Sequence, residues 1–576
     1  MHRPSLHDRR FGRRGTRGPR PPGRPAGTPT GAAVTAPLLA AVLGVITAAL
    51  VLSPDDALAQ QRPGTGPASE FHASPYLPLG HWAYDILDHW IHTGRVENLS
   101  PLTRPWRRMD VARAIRRVSR SRPHAFEEGW LARLREEFRR ELAVLEGRAE
   151  GEAGYLRTWF EAGGRYMSQT HRDPLRPELE GRFSADRVLD RGMLEGDGRV
   201  GPVVGGLSIG RDRLFVNDAQ FPDGRVVERN DFILFNEQAI RPEEGYLEVQ
   251  GEHASLFFGR MYRNWGLPGM DGFIRSDYAY SYEEVAYRVG TERVFLTGTL
   301  TSLGDARGDT TRYLTTHRVE VRPSDELVLS LSEGAIHGGP DRSLDLAVVN
   351  PLSVWQLLTD VQLNSVGQFD VWWRPVHGLA LYGSVNLDAT NSLGSSREID
   401  SCCQMGGSLG LEFPGAVRGW SFRARATALQ SLVYRTERPW EEWSVRSIGL
   451  GWDKVDLYLA TLEAEWLGRP GLSLRPRVDL QVKGEGTFRG RLRPPKPQLP
   501  GFPSILVGQA ETTLRPALAG RWRPDALGGG WSLDLEWDLG VSFLRDFRNV
   551  EGDDRTAFVG EVKAVLRTPD LLVPLD

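Results

Sequence analysis

The stretch WSLDLEWDLGVSF, residues 531–543, has a large apolar side chain at every second position and small or acidic side chains between them. Side chains alternate between the two faces of a β-strand, so one face is apolar and the other carries Asp534, Glu536 and Asp538. Ordinary strands average about 5 to 6 residues, whereas a strand that crosses a bilayer in a tilted barrel needs about 9 to 11. The 13 residues of this stretch therefore predict a strand in the wall of a transmembrane β-barrel.

The first 59 residues have the composition of an export signal. Eight arginines within residues 1–27 precede an apolar run at 32–52 and the small-residue site Ala57-Leu58-Ala59. This order predicts a secretory signal peptide, residues 1–59, with cleavage after Ala59. The alternative is a retained single-span anchor, because the apolar run is long for a signal peptide.

Charge and cysteine content narrow the function of the remaining chain. Removal of residues 1–59 takes away eight arginines and three aspartates, so the net charge changes from −3 to −8. An acidic surface argues against nucleic acid as a partner. Cys402 and Cys403 are adjacent, so the sequence predicts no disulfide framework. Beyond the signal, no segment reaches the roughly 18 apolar residues of a membrane helix, so a membrane location requires a barrel.

Residues 60–150 precede the predicted barrel. Residues 60–75, rich in Gln, Pro, Gly and Ser, predict a flexible lead. From 76 to 150 the apolar spacing becomes three to four residues, which predicts a small helical module with a coiled-coil-like stem. The expected helices run from His81 to Gly94, onward from Pro105, and from about His124 to Gly147.

Residues 151–576 alternate as strands joined by short polar turns. Clear examples are the hairpins within 317–331 and 368–388 and the strand Leu472–Lys483. The length predicts an all-β, antiparallel transmembrane barrel of about 16 to 18 strands in the outer membrane. Such barrels have short periplasmic turns and longer external loops. The predicted external loops are Asn264–Asp277, Asn391–Gly406, Arg435–Trp443 and Gly484–Pro503.

A motif in the helical module points to the cell wall. Its residues are His81-Trp82-Ala83-Tyr84-Asp85, Gly94, Thr103-Arg104-Pro105 and Arg108-Met109-Asp110-Val111-Ala112. This pattern resembles an S-layer homology module, although there is one copy where three are usual and Asp110 stands where Glu is usual. The resemblance implies a periplasmic module that binds peptidoglycan-linked polymer. The candidate cell-wall-binding residues are Trp82, Arg104, Arg108 and Asp110.

Several short motifs of the predicted barrel carry a resemblance to one protein family. They are Gly259-Arg260-Met261-Tyr262-Arg263-Asn264-Trp265-Gly266, Leu331-Ser332-Glu333 with Gly338-Gly339, Val349-Asn350-Pro351-Leu352, Phe369 to Arg374, Leu381-Tyr382-Gly383 and Asp388. The chain resembles the capsule assembly protein Wzi family in these stretches, most strongly from about 255 to 390. The resemblance implies an outer-membrane barrel without catalytic activity that holds capsular or other surface polysaccharide on the cell.

Polysaccharide binding requires aromatic faces for the sugar rings beside planar donors and carboxylates for the hydroxyl groups. Tyr262, Arg263, Asn264 and Trp265 offer this combination where a strand meets a loop. A second candidate site contains Trp440 and Trp443 with Arg435 and Glu441. The alternative is that these aromatics belong to the girdle that any barrel places at the membrane interface.

The charged face of the predicted strands indicates what lines the inside of the barrel. Asp534, Glu536 and Asp538 are expected to line a wet lumen, with Arg475 and Arg477 as partners across it. A wet, charged lumen can also let small solutes pass, so the alternative function is that of a porin or diffusion channel.

Two short motifs resemble a catalytic site and a metal site, but a simpler structural explanation fits each of them better. Gly206-Leu207-Ser208-Ile209-Gly210 matches a nucleophile elbow, but no helical pattern follows Ser208, so a Gly-rich strand is the better interpretation. His89 and His92 are three residues apart, but no third metal ligand accompanies them, so surface histidines are expected. The sequence predicts no cofactor and no metal.

Overall fold

The computed structural model describes residues 71–121, 123–148, 154–169, 172–176, 188–214, 232–234, 238–304, 310–340, 342–344, 346–350, 363–388, 404–417, 419–436, 438–445, 448–489, 505–525 and 527–575. The predicted signal peptide, most of the predicted flexible lead, and Cys402 and Cys403 lie outside these residues.

Eighteen strands form one closed antiparallel sheet. In chain order they are β1 Gly154–Met167, β2 Val188–Val200, β3 Val203–Asp212, β4 Gln238–Gln250, β5 Ala254–Arg260, β6 Glu283–Gly290, β7 Val294–Ser302, β8 Thr310–Ser324, β9 Leu327–Pro340, β10 Asn364–Val376, β11 Leu379–Asp388, β12 Gln404–Val417, β13 Trp420–Leu429, β14 Leu457–Arg469, β15 Leu472–Lys483, β16 Glu511–Trp522, β17 Ser532–Arg545 and β18 Arg555–Arg567. Shorter strands lie at Phe232–Leu234, Ser444–Val445, Ile448–Gly449 and Leu571–Leu575.

The sheet closes because its first strand pairs with its last. Residues 161–167 of β1 face residues 561–567 of β18 in antiparallel register. Leu571–Leu575 then pairs with Gly154–Thr158, at the other end of β1. The predicted antiparallel barrel of 16 to 18 strands is confirmed.

The alternation along β17 separates the two faces of the wall. Val541 and Phe543 are exposed on the outside, whereas Ser542 is buried on the inside. Exposed apolar side chains continue around the outer surface, for example Leu156, Leu207, Leu247, Phe258, Leu409, Leu462, Leu514 and Phe558. Apolar surface of this extent is unfavourable in water, so the outer face fits lipid.

The two ends of the barrel differ in their connections. At one end, two-residue turns join strands, as between β2 and β3 or between β14 and β15. At the other end, β5 and β6 are joined by residues 261–282, and β13 and β14 by residues 430–456. The described residues of the predicted external loops all lie at this second end. Of Asn391–Gly406, residues 404–406 are described, and there they form the beginning of strand β12.

In the described part of the chain, four helices precede the barrel and a single helical turn lies between β9 and β10. Their bounds are α1 Ala83–His92, α2 Arg108–Arg120, α3 Ala125–Glu137, α4 Arg139–Leu145 and α5 Leu346–Val349. Short 3₁₀ segments occur at Pro439–Glu441 and Phe547–Asn549. Among the described residues, none of the helices is both long and apolar enough to cross a bilayer.

The predicted third helix is in fact two helices with a break at Phe138. Phe138 leaves helical geometry at φ −105° and ψ 21°. Arg108 contacts the chain at the break, since its Nη2 donates 2.9 Å to Glu137 O and its guanidinium lies 4.5 Å from the centre of the Phe138 ring. The single third helix predicted from about His124 to Gly147 is therefore corrected to two helices, and the coiled-coil-like stem stays a prediction.

The helices lie across the short-turn end of the barrel. Trp130 Nε1 of α3 donates 2.9 Å to Leu467 O in β14, and Arg133 Nη1 donates 2.7 Å to Arg523 O between β16 and β17. On the far side of the ring, Arg113 Nη1 of α2 lies 3.9 Å from Glu292 in the turn between β6 and β7. Contacts with turns about half a barrel apart show that the helices span this opening.

Candidate functional site in the barrel lumen

Three chain segments fill much of the lumen, and the first, residues 97–106, follows α1. Arg318 of β8 donates from Nη2 to Leu102 O at 3.0 Å and from Nε to Thr103 Oγ1 at 2.9 Å. Arg318 Nη1 also lies 3.0 Å from Asp370 of β10, and neither side chain is exposed. A buried ion pair is stable only when its remaining hydrogen-bonding groups find partners. The first segment supplies those partners and is thereby held against the wall.

The second segment, residues 261–282, enters from the long-loop end. Gln368 of β10 accepts hydrogen bonds from the N–H groups of Phe273 and Ile274, each at 3.0 Å, and donates to Trp265 O at 2.8 Å. The backbone of Asn264 exchanges hydrogen bonds of 3.1 and 3.2 Å with that of Arg104. The first and second segments therefore meet inside the barrel.

The third segment, residues 430–456, packs on the second. Tyr434 OH donates 2.7 Å to Phe273 O, and Trp443 Nε1 donates 3.2 Å to Ile274 O. Neither aromatic side chain is exposed. The loops at this end are consequently folded inward and occupy part of the lumen.

Two adjoining cavities remain between these segments and the inner wall. The loop-side cavity measures about 540 Å³, and the helix-side cavity, next to α1, measures about 490 Å³. Both are lined by Leu79, Arg104, Gly269, Arg425, Arg477 and Asp538. Together they form a polar path along the inside of β13 to β18.

The loop-side cavity combines aromatic rings with charged groups. Tyr278 and Trp452 both contribute to its lining. The guanidinium of Arg172 lies 4.6 Å from the centre of the Tyr278 ring. Lys454 Nζ lies 2.5 Å from Asp173 and also lines the cavity. Aromatic faces beside fixed donors and acceptors are suited to a ligand that has both C–H faces and hydroxyl groups.

Asp271 belongs to the second segment, its carbonyl accepts a hydrogen bond of 3.0 Å from Trp452 Nε1, and it lines the same cavity. Burial raises the pKa of its carboxyl to about 7, and the nearby carboxylates of Asp277 and Asp173 add to the shift. Burial and like charges both disfavour the ionised form. Near neutral pH this group can donate a hydrogen bond as an acid or accept one as a carboxylate.

An arginine-centred ion cluster supports the helix-side cavity. Arg423 of β13 lies 2.9 Å from Glu412 and 3.0 Å from Glu463, and it also pairs with Glu465. Arg425, two residues along the same face, lies 3.1 Å from Glu463. Shared partners of this kind hold each charged group in one orientation.

The four residues of the first predicted binding group have different surroundings. Arg263 Nε lies 2.6 Å from Glu284, and Trp265 is 1% exposed, so both serve internal contacts. The N–H of Tyr262 donates 3.1 Å to Glu244. Asn264 lines the loop-side cavity, so it is the member of this group that a ligand there would meet.

The second predicted binding group lies in the third segment. Trp443 is buried against Ile274, and its ring is covered by protein. Trp440 is half-buried, and its carbonyl accepts 2.9 Å from Arg312 Nε in β8. Sugar binding at this group stays a prediction.

The predicted lumen-lining acids do face inward and are paired. Asp538 lies 2.6 Å from Arg477 Nη2, the partner expected across the lumen. Glu536 lies 2.5 Å from Arg521, and Asp534 lies 3.5 Å from the same guanidinium.

Arg475 has a different partner from the one expected. Its Nη1 lies 3.7 Å from Asp85 of α1, so it contacts the helical module and not β17. Sequence reasoning could not find this pair, because nothing in the pattern of either segment indicates that α1 lies inside the ring of strands.

The predicted cell-wall-binding residues are used mostly within the protein. Trp82 and Arg108 are 4% and 3% exposed. Arg104 lies 2.5 Å from Asp88 and lines both cavities. Asp110 is half-buried. The wall-binding role of this set stays a prediction.

Ser208 lies in the middle of β3. Its Oγ donates 2.8 Å to Glu195 on the neighbouring strand β2. The residues on both sides of Ser208 continue the strand to Asp212, so the strand-to-helix turn of a nucleophile elbow does not form there.

The prediction of surface histidines at positions 89 and 92 is wrong. His89 and His92 are 2% and 1% exposed, because α1 packs against the inner wall. His89 Nδ1 lies 3.2 Å from Ser421 Oγ, and burial lowers the pKa of His89 to about 4. In the described part of the chain, no three His, Cys, Asp or Glu side chains are arranged to hold a metal ion.

Sequence reasoning missed Arg423 and Arg425, although it had singled out Arg104, Arg477 and Asp538, which line both cavities. Arg423 and Arg425 alternate with Phe422 and Ala424 in β13, which is the same signal as in β17 and could have found them. Trp452 lies in an irregular segment, where no periodicity indicates which side chains point inward.

Comparison with solved structures identifies barrels of this shape. Wzi, described as an outer membrane protein involved in group 1 capsule assembly in Escherichia coli and as a carbohydrate-binding β-barrel, superposes with a TM-score of 0.56 at 15% identity, over 86% of this chain and 99% of Wzi. OpdQ and OccD3 (OpdP) of Pseudomonas aeruginosa give TM-scores of 0.38 and 0.42 at 10% and 12% identity, each over 74% of this chain and over 98% and 92% of their own. No protein-family model and no curated protein matches the sequence. The similarity to Wzi shows the fold.

Proposed function

We propose that this chain is an outer-membrane barrel that binds capsular or other surface polysaccharide in its lumen, without catalysis. The observation that carries the proposal is the loop-side cavity, in which Tyr278 and Trp452 lie beside Asn264, Arg425 and Asp271. Carbohydrate binding is also what is stated for Wzi, the solved barrel of similar fold.

The chemistry of the cavity matches that of a sugar chain. The Tyr278 ring, which has the Arg172 guanidinium 4.6 Å from its centre, can contact the C–H groups of a sugar ring, and Trp452, which is 7% exposed and stacks on Phe273, adds a smaller apolar area. Arg425, Asn264 and Asp271 can exchange hydrogen bonds with hydroxyl groups. A volume of about 540 Å³ is typical of a small-molecule site, for which about 300 to 1,000 Å³ is usual. The site therefore fits a few sugar units of a longer chain.

The inward-folded loops favour binding over free passage. The second and third segments contact each other through Tyr434 and Trp443, and the second contacts the wall through Gln368. A lumen occupied in this way retains a ligand at its surface end. The outer apolar face fits the outer membrane, and the short turns, with α1 to α4 across them, would face the periplasm.

Retention of polysaccharide on cells tests the proposal. The gene is deleted and then restored on a plasmid, and cell-bound and shed polysaccharide are measured separately. We expect the shed fraction of polysaccharide to rise when the gene is deleted and to return to the wild-type level when the gene is restored. Unchanged retention would contradict the proposal.

A second candidate function is a diffusion channel for small solutes. The observation that favours it is that both cavities share Arg104, Arg425, Arg477 and Asp538, and so run together from the loop end to α1. Planar bilayers that contain the purified protein distinguish the two functions. Steady ion conductance in the absence of saccharide would favour the channel, and a closed pore would favour binding.

A further inference from the structure

The charged groups around the loop-side cavity differ in whether the protein already pairs them. Six aspartates and five arginine or lysine side chains line this cavity. The two totals are nearly equal, so the net charge alone does not select a ligand. The pairing of the individual groups decides which charge a ligand meets.

The cationic side chains of the cavity are held by groups of the protein. Four of the five lie within ion-pair distance of a carboxylate, such as Arg425 at 3.1 Å from Glu463 and Arg477 at 2.6 Å from Asp538. The fifth, Arg172, lies against two tyrosine rings. A carboxylate on a ligand would have to compete with these contacts and would be repelled by the acids that take part in them.

Asp271 and Asp277, both in the second segment, are the acidic groups that remain. Over the ranges that the structure describes, neither carboxyl group has an arginine, lysine or histidine nitrogen within ion-pair distance. Asp271 is half-buried, Asp277 is exposed, and both line the cavity. A ligand in the cavity can therefore reach both carboxyl groups.

The state of Asp271 supports this description. Burial raises the pKa of its carboxyl to about 7, and the carboxylates of Asp277 and Asp173 raise it further. The protein thus stores negative charge at this point at a cost in free energy. A cation bound between Asp271 and Asp277 would remove that cost, since opposite charges favour the ionised form.

Tyr278 places a sugar ring beside these acids. It follows Asp277 in the chain and lines the same cavity. One sugar unit can therefore contact the Tyr278 ring through its C–H groups and reach Asp277 through a substituent. The substituent that fits two carboxyl groups is one that only donates hydrogen bonds and carries positive charge.

We propose that the loop-side cavity selects polysaccharide whose sugar units carry a free amino group, with the ammonium held between Asp271 and Asp277. An ammonium group only donates hydrogen bonds and a carboxylate only accepts them, and such charge-assisted bonds are about twice as strong as neutral ones. The inference rests on the proposed function and adds the class of sugar. Uronic acid chains are the class that the site rejects.

Titration calorimetry of the purified full-length protein with oligosaccharides of equal length tests this inference. The probes are oligomers of glucosamine, of N-acetylglucosamine and of a uronic acid, used at about pH 7, where most amines are protonated. We expect the glucosamine oligomer to bind at least about tenfold more tightly than the N-acetylated one, which lacks the charge. The uronic acid oligomer should bind most weakly.

Two double variants assign the preference to the two acids. Asp271→Asn/Asp277→Asn should bind the glucosamine and N-acetylglucosamine oligomers with equal affinity. The control Glu551→Gln/Asp554→Asn removes the same charge from exposed positions of the β17–β18 loop, outside the cavity, and should keep the wild-type preference. Asp277→Asn alone, at an exposed position, repeats the measurement if the double variant fails to fold, and should reduce the preference.

The outcomes separate this inference from the proposed function. Equal binding of the glucosamine and N-acetylglucosamine oligomers by wild type, tighter binding of the uronic acid oligomer, or a preference that the Asn variants keep or the control loses would each overturn the inference. Polysaccharide binding in the cavity would still stand in those cases. If the glucosamine oligomer does not bind although polysaccharide from the same cells does, the inference also fails alone. If neither binds, the proposed function fails with it.

Discussion

Nδ1 of His92 in α1 lies 2.8 Å from Oε2 of Glu412 in β12, and the two side chains are 1% and 0% exposed. Arg423 Nε of β13 lies 2.9 Å from the same oxygen. Glu412 therefore joins the helical module to the inner wall at one buried point. Removal of one member of such a cluster leaves the others buried without a partner.

The variant Glu412→Gln should loosen the helical module. Breaking a buried ion pair costs about 3 to 5 kcal/mol, so we expect faster protease cleavage within residues 71–148 of the purified protein. Glu561→Gln is the control, because Glu561 of β18 pairs at 3.0 Å with Arg165 on the neighbouring strand β1 and, among the described residues, makes no ion pair with the helices. Equal cleavage of the two variants would show that the His92–Glu412 contact does not hold the module.

The variant Trp443→Ala should destabilise the inward-folded loops. Trp443 is fully buried and donates to Ile274 O, and loss of a buried Trp side chain costs about 3 to 5 kcal/mol. Trp440→Ala, at a half-buried position of the same segment, should cost less. Thermal unfolding in detergent measures both. A larger Tm loss for Trp440→Ala would contradict the packing described for the third segment.

The variant Asp271→Asn should change the pH dependence of stability. The folded-state pKa of Asp271 is about 7, above the ordinary value of about 4. Between these values the unfolded chain releases the proton and the folded chain keeps it, so this group lowers stability as pH rises from about 4 to about 7. We expect the Tm of the Asn variant minus that of wild type to be at least about 2 °C higher at pH 8 than at pH 4. A constant difference would show that Asp271 does not titrate as described.

The variant Ser208→Ala should leave function intact. Ser208 lies within β3 and bonds Glu195, so it has a structural hydrogen bond and no nucleophile elbow. We expect unchanged polysaccharide retention by cells and a small loss of stability, about 1 kcal/mol. Loss of retention with normal folding would require a catalytic or binding role at this serine.

The parts of the fold that follow from local pattern were predictable. The alternation in residues 531–543 identified β17, and the hairpins predicted within 317–331 and 368–388 form, with turns at residues 325–326 and 377–378. The lumen contents were not predictable, because contacts such as Asn264 with Arg104 join residues far apart in the sequence. Periodicity shows that a side chain faces inward but not what it meets there. Trp265 and Trp443 were accordingly predicted as polysaccharide-binding candidates, whereas their side chains are buried within the protein.

Affinity for polysaccharide tests the central claim most directly. Surface polysaccharide from the same cells is titrated into purified wild-type protein, Tyr278→Ala and Tyr458→Ala, of which the last changes an exposed tyrosine on the outer face. We expect saturable binding by wild type and Tyr458→Ala and at least tenfold weaker binding by Tyr278→Ala, about 1.4 kcal/mol. Absence of wild-type binding, or equal affinity of the two variants, would contradict polysaccharide binding in the loop-side cavity.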